Sequence, residues 1–134
     1  MYNLPSHAKK TDAILISLIV LDVVIFTVAF FFPDLWTKIF HGEVYVESYG
    51  LLRRTASLWA AFALFQTIAL FKWKKNYIWL ALVAGLRFSE IFSDWVYLGF
   101  CQSATLFAWL ALSISPPANI IFGLYFFKKS HDDK

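Results

Sequence analysis

Residues 77–100 read YIWLALVAGLRFSEIFSDWVYLGF, an apolar stretch long enough to cross a membrane that carries Arg87, Glu90 and Asp94. A helix brings these three side chains towards one face, because they are spaced three and four residues apart. Each ionisable group inside a span costs roughly 2.5–3.5 kcal/mol on insertion scales, so it must face protein or water and find a partner. The stretch therefore predicts a helix bundle organised around a buried polar cluster.

The composition of the whole chain points to a membrane protein. Its 134 residues are 60% hydrophobic, 20% aromatic and only 16% charged, whereas a soluble domain of this length needs more polar surface. Apolar stretches of the ~17–25 residues that a spanning helix requires lie at 13–32, 51–71, 77–100 and 103–127. We therefore predict an all-α, four-transmembrane-helix bundle in which residues 1–134 form one integral membrane domain.

The outer loop, residues 33–50, contains a short amphipathic segment. We expect an interfacial helix over residues 33–42, with Asp34 as its cap and Gly42 as its stop. Its apolar face would consist of Leu35, Trp36, Ile39 and Phe40.

Residues 43–47 follow with alternating character, which predicts a short extended strip. This strip either folds over the outer mouth of the bundle near Arg53 and Arg54 or docks on another protein. The sequence leaves both alternatives open.

Lysine and arginine counts at the helix ends predict the orientation. Eight lysines lie on the side of both termini and three basic residues lie opposite: Lys9, Lys10, Lys72, Lys74, Lys75, Lys128, Lys129 and Lys134 against Lys38, Arg53 and Arg54. Both termini should be cytoplasmic. Because no transit peptide, retention signal or lipidation motif is recognisable, we expect the inner (cytoplasmic) membrane of a bacterial-type cell.

Helix lengths allow two sets of opposite charges to meet at similar depth. We expect Asp22 to pair with Arg87 near the midplane, and Arg53 or Arg54 to pair with Glu90 and Asp94 further out. Such pairs often fix helix register without any ligand. Carboxylates four residues apart oppose joint ionisation, however, so one of them would hold a proton, as in a proton relay or a general acid.

Further polar residues form a secondary lining. Gln66 is expected to make an interhelical hydrogen bond, and the pairs Ala56/Ala60 and Ser57/Ala61 predict close helix packing. Pro116 and Pro117 predict either a kink stabilised by polar neighbours or a discontinuous helix whose backbone lines a small site. The polar neighbours are Ser113, Ser115 and Asn119.

Several cofactor classes have no matching residues. His7, His41 and His131 lie outside the four predicted spans, so paired axial ligands for a buried haem are missing. Cys101 is the single cysteine, and no lysine lies inside a span to form a retinal Schiff base. We therefore predict no metal, no cofactor and no nucleic-acid partner.

The chain resembles the small multidrug transporters in having four short helices and an acid, here Asp22, in the first helix. The charged third helix and Pro116-Pro117 have no counterpart in that family. The resemblance thus covers the architecture and one residue.

Two functions fit this sequence. The first is a non-enzymatic accessory or scaffold subunit that packs against other membrane proteins and lipids, because the chain offers mainly helix faces and no catalytic motif. The alternative is an intramembrane site for a small molecule, lipid or quinone, built on Arg87, Glu90 and Asp94, with binding, proton-coupled transport or lipid modification as its activity. In that alternative Arg53 or Arg54 recognises an anionic or polar headgroup. A homo-oligomer is compatible with either function.

Overall fold

The chain folds into helices joined by short connections. A computed structural model describes residues 6–46 and 50–131, so the predicted roles of Glu47 and Lys134 lie outside the described residues. This part of the chain contains five helices and no strand: α1 (Ser6–Phe31), α2 (Pro33–His41), α3 (Leu51–Lys72), α4 (Ile78–Phe100) and α5 (Leu106–Lys129).

Three of the helices, α1, α3 and α5, are long and apolar enough to cross a membrane. Helix α4 has a similar length but carries Arg87, Glu90 and Asp94. The all-α class and the membrane-type composition are therefore confirmed, while a membrane-spanning α4 stays a prediction.

Helix α1 begins seven residues earlier than position 13, at Ser6. The added turns are polar, but contacts across the bundle hold them. The Thr11 hydroxyl lies 2.8 Å from the Tyr125 hydroxyl. Asp12 accepts hydrogen bonds from the Trp73 indole at 2.8 Å and from Lys74 at 2.6 Å. Helix α1 thus begins before the apolar stretch because tertiary contacts stabilise its polar first turns, which a prediction from hydrophobicity leaves out.

Helix α2 confirms the predicted short helix but not its cap. Phe32 occupies the N-cap position without a side-chain hydrogen bond, and Pro33 begins the helix, so the expected capping role of Asp34 is wrong. Proline suits this position because it has no N–H to satisfy and its φ is already helical. Gly42 ends α2 at φ 70°, and its N–H donates to the Lys38 carbonyl at 3.1 Å, as predicted.

The helices pack mainly as two pairs, α1 with α3 and α4 with α5. Ala56 of α3 is fully buried, while Ser57 and Ala61 are exposed, so only part of the expected small-residue packing forms. In the second pair Gly123 lies against Phe88, so closely that a Cβ at position 123 would meet the Phe88 ring at 2.5 Å.

Helix α5 runs without interruption through Pro116 and Pro117, so the discontinuous alternative is wrong. Asn119, one turn further on, donates to the Ser115 hydroxyl at 3.2 Å, and this bond spans the turn that contains both prolines. Thr105 caps the start of α5 by accepting from the Ala108 N–H at 3.2 Å, which explains why the helix begins at Leu106 rather than at 103.

Two hydrophobic clusters occupy opposite ends of the bundle. The end that holds the first turns of α1 and the last turns of α5 is called the termini end, and its core includes Leu15, Leu80 and Phe126. The opposite end is called the α2 end, and its core is formed by Ala29, Trp36 and Ala56 with the partly buried aromatic residues around them.

Candidate functional site

A buried polar layer is formed by side chains from three helices. Arg87 of α4 donates to Asp22 of α1 at 2.6 Å, and Gln66 of α3 donates to the same carboxylate oxygen, Oδ2, at 2.5 Å. All three residues are at most 2% exposed. The predicted Asp22–Arg87 pair and the predicted interhelical bond of Gln66 are both confirmed. Gln66 Oε1 and Arg87 Nε are buried without a hydrogen-bond partner among the described residues, so the layer holds one spare acceptor and one spare donor.

A cavity of about 660 Å³ lies at the α2 end of the bundle. Its walls come from α1, α3, α4 and α5, and α2 and residues 43–46 line it as well. Most of the lining is apolar or aromatic: Ile25, Trp36, Phe40, Val44, Tyr45, Val46, Leu51, Leu52, Trp59, Tyr97, Ala111 and Leu112. The strip at 43–46 has no regular secondary structure, so the expected extended strip is found there only as irregular chain.

Two carboxylic acids on α4, Glu90 and Asp94, give this cavity its charge. The Trp59 side chain is a close neighbour of the Glu90 carboxyl group, and the Ser115 side chain is a close neighbour of the Asp94 carboxyl group. Among the described residues, a third acid, Glu43, also lines the cavity, and no lysine or arginine does. The cavity thus combines aromatic walls with an acidic patch.

Arg53 and Arg54 do not join this cluster, which contradicts the predicted outer ion pair. Both are exposed, neither lines the cavity, and Arg53 Nε donates to the Phe30 carbonyl at 3.2 Å. The salt bridges between described residues are Arg87–Asp22 and Lys74–Asp12. The reason is the rotation of α3 about its axis. Its cavity side includes Leu51, Thr55 and Trp59, which are spaced four residues apart, and the two arginines lie outside the lining.

Helix α2 is fastened to the start of α5 by hydrogen bonds at its C-terminal end. Thr105 donates its hydroxyl to the Ile39 carbonyl at 2.6 Å and its N–H to the Phe40 carbonyl at 2.8 Å. His41 Nδ1 lies 2.5 Å from the Ser103 carbonyl, so Nδ1 carries the hydrogen. In neutral His41, Nε2 then accepts from the Tyr97 hydroxyl.

Aromatic contacts hold α2 over the bundle. The Trp36 ring lies 5.3 Å from that of Trp59 in α3, and the Phe40 ring lies 5.5 Å from that of Phe107 in α5. Leu35 and Ile39, which the amphipathic pattern grouped with Trp36 and Phe40, are exposed instead.

The secondary polar residues divide between the cavity and the helix packing. Ser115 lines the cavity together with Ser93, while Ser113 is exposed and Asn119 is buried one turn away. His41 and Tyr97 belong to this site but were not predicted from the sequence. The signal that came nearest to His41 was the predicted helix over residues 33–42, whose apolar face included Trp36 and Phe40.

Comparisons with known proteins found no family model, no curated protein and no solved structure that matches the chain. No group of three or more histidine, cysteine or acidic side chains placed to hold a metal ion occurs within residues 6–46 and 50–131. His7 lies in the first turn of α1 and His41 lies at the end of α2, and both are outside the four predicted spans.

Proposed function

We propose that the protein is an integral membrane protein with four spanning helices, α1, α3, α4 and α5, whose α2 end binds an amphipathic small molecule. The charges of α4 are compatible with a span because Arg87 is buried and Glu90 and Asp94 face the cavity. The side chains that α4 exposes include Ile78, Leu82, Phe92, Trp95, Val96 and Phe100, which suit a lipid environment.

The lysine distribution favours both termini in the cytoplasm, which would make the α2 end the outer end. We place the protein in a bacterial-type inner membrane on the sequence grounds given above. With this orientation the cavity would take up its ligand from the outer leaflet or from the outside solution.

The cavity itself carries the proposal. Ligand sites usually have volumes of about 300–1,000 Å³ and combine mainly apolar walls with a few polar groups. A cavity of 660 Å³ with aromatic walls and two half-buried carboxylic acids, Glu90 and Asp94, fits that description. We propose binding rather than catalysis because the acids of the lining are accompanied mainly by apolar and aromatic side chains.

The acidic lining determines which headgroup suits the site. Because Arg53 and Arg54 are outside the cavity, an anionic headgroup would meet only like charge from Glu43, Glu90 and Asp94. A protonated amine or a quaternary ammonium would instead pair with the carboxylates, and the rings of Trp36 and Trp59 could contact its alkyl groups. We therefore infer a cationic amphiphile as the ligand.

The test uses the full chain in lipid nanodiscs. Decyltrimethylammonium, decyl sulfate and decanol would be titrated in turn, and binding measured by calorimetry. We expect saturable binding of the ammonium compound alone. The Glu90→Gln and Asp94→Asn variants should each weaken it by roughly tenfold, or about 1.4 kcal/mol, because each removes one carboxylate charge that attracts the ammonium group.

The matched control is Asp34→Asn, which removes an acidic charge from an exposed position outside the cavity. It should bind like the wild type. Equal uptake of all three amphiphiles, or an equal loss of affinity in the control, would show that the compounds only partition into lipid, and the proposal would fall.

The accessory subunit is the second candidate. The observation in its favour is the apolar surface of α1, where Ile16, Val20 and Val24 are each about half exposed. A stoichiometric protein partner in a mild-detergent purification would support this function, and abundance of that partner should then fall in the Arg87→Met variant. Purification as a single species holding an amphiphile would count against it.

A further inference from the structure

A second pocket, of about 350 Å³, lies at the termini end, where the α3–α4 connection meets the last residues of α5. Lys75, Asn76, Ser130 and His131 supply its polar side, and Ile78 and Ala81 supply its apolar side. The pocket therefore has one charged and one apolar wall. It does not belong to the cavity at the α2 end.

The charge of this end is strongly positive among the described residues. Asp12 is the one described carboxylate near the α3–α4 connection, and its Oδ2 already holds Lys74 at 2.6 Å. Lys75 forms no salt bridge with another described residue and is exposed at the pocket, and Lys128 and Lys129 end the neighbouring helix. Asp132 and Asp133 lie outside the described residues.

The polar groups of the pocket suit an oxyanion. Asn76 Oδ1 accepts from the Ile78 N–H at 3.0 Å, so the amide NH₂ group of Asn76 is the part that remains to donate. Helix α4 begins directly at this point, and its first turn contains no acidic residue to offset the positive end of its dipole. Lys75 thus brings positive charge to the pocket, and the Asn76 amide and the start of α4 line the same pocket as neutral donor groups.

Apolar surface continues from the pocket along the bundle. Ile78 and Leu82 of α4 are 54% and 47% exposed, and Leu124 and Phe127 of α5 are 55% and 50% exposed. A ligand with a phosphate at one end and acyl chains at the other matches a polar pocket that is followed by an apolar surface. Free phosphate would match only the polar side.

We propose that this pocket binds the headgroup phosphate of an anionic phospholipid, with Lys75 as its main cation and the exposed residues of α4 and α5 along its acyl chains. The proposal does not depend on the cavity at the α2 end. It assigns the lysines of the termini end a specific lipid contact in addition to their effect on orientation.

The test is native mass spectrometry of the full chain purified in a neutral detergent. Phosphatidylglycerol and phosphatidylcholine are added in equal amounts, and inorganic phosphate is added in a separate arm. We expect phosphatidylglycerol to be retained about tenfold more than phosphatidylcholine. In Lys75→Gln that preference should fall about fivefold, as expected for one lysine at an anionic lipid.

Lys74→Gln is the matched control, because it removes the same charge from the adjacent residue, whose ammonium group lies on Asp12 rather than in the pocket. The control should keep the preference for phosphatidylglycerol. An equal loss in both variants would indicate general attraction and overturn the site. Equal retention of the two lipids would overturn it as well, and competition by inorganic phosphate alone would assign the pocket to a free anion instead.

Discussion

Arg87 and Asp22 form an ion pair of 2.6 Å that joins α4 to α1, two helices that belong to different packed pairs. The pair lies between the hydrophobic clusters of the two ends, and the same Asp22 oxygen also accepts a hydrogen bond from Gln66. The α1/α3 and α4/α5 pairs are therefore connected in the middle of the bundle by a polar bond. Its strength depends on both partners being present.

Removing one partner of the buried pair should be costly. In Arg87→Met or Asp22→Leu, the remaining charge loses its partner in a buried site, and we expect a loss of about 3–5 kcal/mol in unfolding free energy. The double variant should recover most of this loss. Reversible unfolding in mixed micelles would measure all three variants, and strictly additive losses would contradict a direct pairing.

The exposed pair Lys74–Asp12 provides a comparison. Lys74→Gln should change the unfolding free energy by roughly 0–1 kcal/mol, because solvent screens this pair.

Gly123→Ala should loosen the α4/α5 pair. The new Cβ would lie 2.5–2.9 Å from three atoms of the Phe88 ring, and overpacking of this kind costs about 1–3 kcal/mol. Gly85→Ala is the control, since no heavy atom lies within 4 Å of its added Cβ. Thermal unfolding of Gly123→Ala combined with Phe88→Leu should show partial recovery, and no recovery would mean that the ring is not the obstacle.

Thr105→Val should loosen the attachment of α2 to α5. The variant loses the N-cap of α5, worth about 0.5–2 kcal/mol, and the bond to the Ile39 carbonyl. Amide exchange over residues 33–42 should become faster, as measured by mass spectrometry. Thr105→Ser keeps both bonds and should behave as the wild type, while Thr67→Val, which loses only a bond within its own helix, should leave exchange in α2 unchanged.

Labelling of engineered cysteines would test the orientation. In a Cys101→Ser background, Gln102→Cys should react with a membrane-impermeant maleimide on intact cells, because Gln102 is exposed at the α2 end. His131→Cys, exposed at the termini end, should react only after the membrane is permeabilised. The opposite pattern would reverse the predicted orientation.

The four long helices were predictable because each is a mainly apolar run of spanning length. The Asp22–Arg87 pair was also predictable, since equal depth on two helices brings opposite charges within reach. Depth does not determine the rotation of a helix about its axis, however. Arg53 and Arg54 lie at a depth that suits Glu90 and Asp94, but on a side of α3 that does not face the cavity.

Residues 43–46 line the cavity, which agrees with one of the two alternatives that the sequence left open, but the contacts that fasten α2 were not predictable from sequence patterns. The contacts that fasten α2 join Ile39 to Thr105 and His41 to Tyr97, residues far apart in the chain and without any shared motif. Local amphipathicity predicted that α2 forms and placed Trp36 and Phe40 on its inward face, but it also grouped Leu35 and Ile39 with them, and these two are exposed. Such tertiary contacts depend on the packing of the complete bundle.

The hydrogen bonds of α2 also have a consequence for the order of assembly. Thr105 follows Ile39 by 66 residues and Ser103 precedes the last helix, so a ribosome has finished α1 to α4 before it makes the groups that fasten α2. Until translation reaches α5, the C-terminal carbonyls of α2 must be satisfied by water or lipid headgroups. The acidic cavity is thus completed last, after Arg87 has already been able to meet Asp22 in the nascent chain.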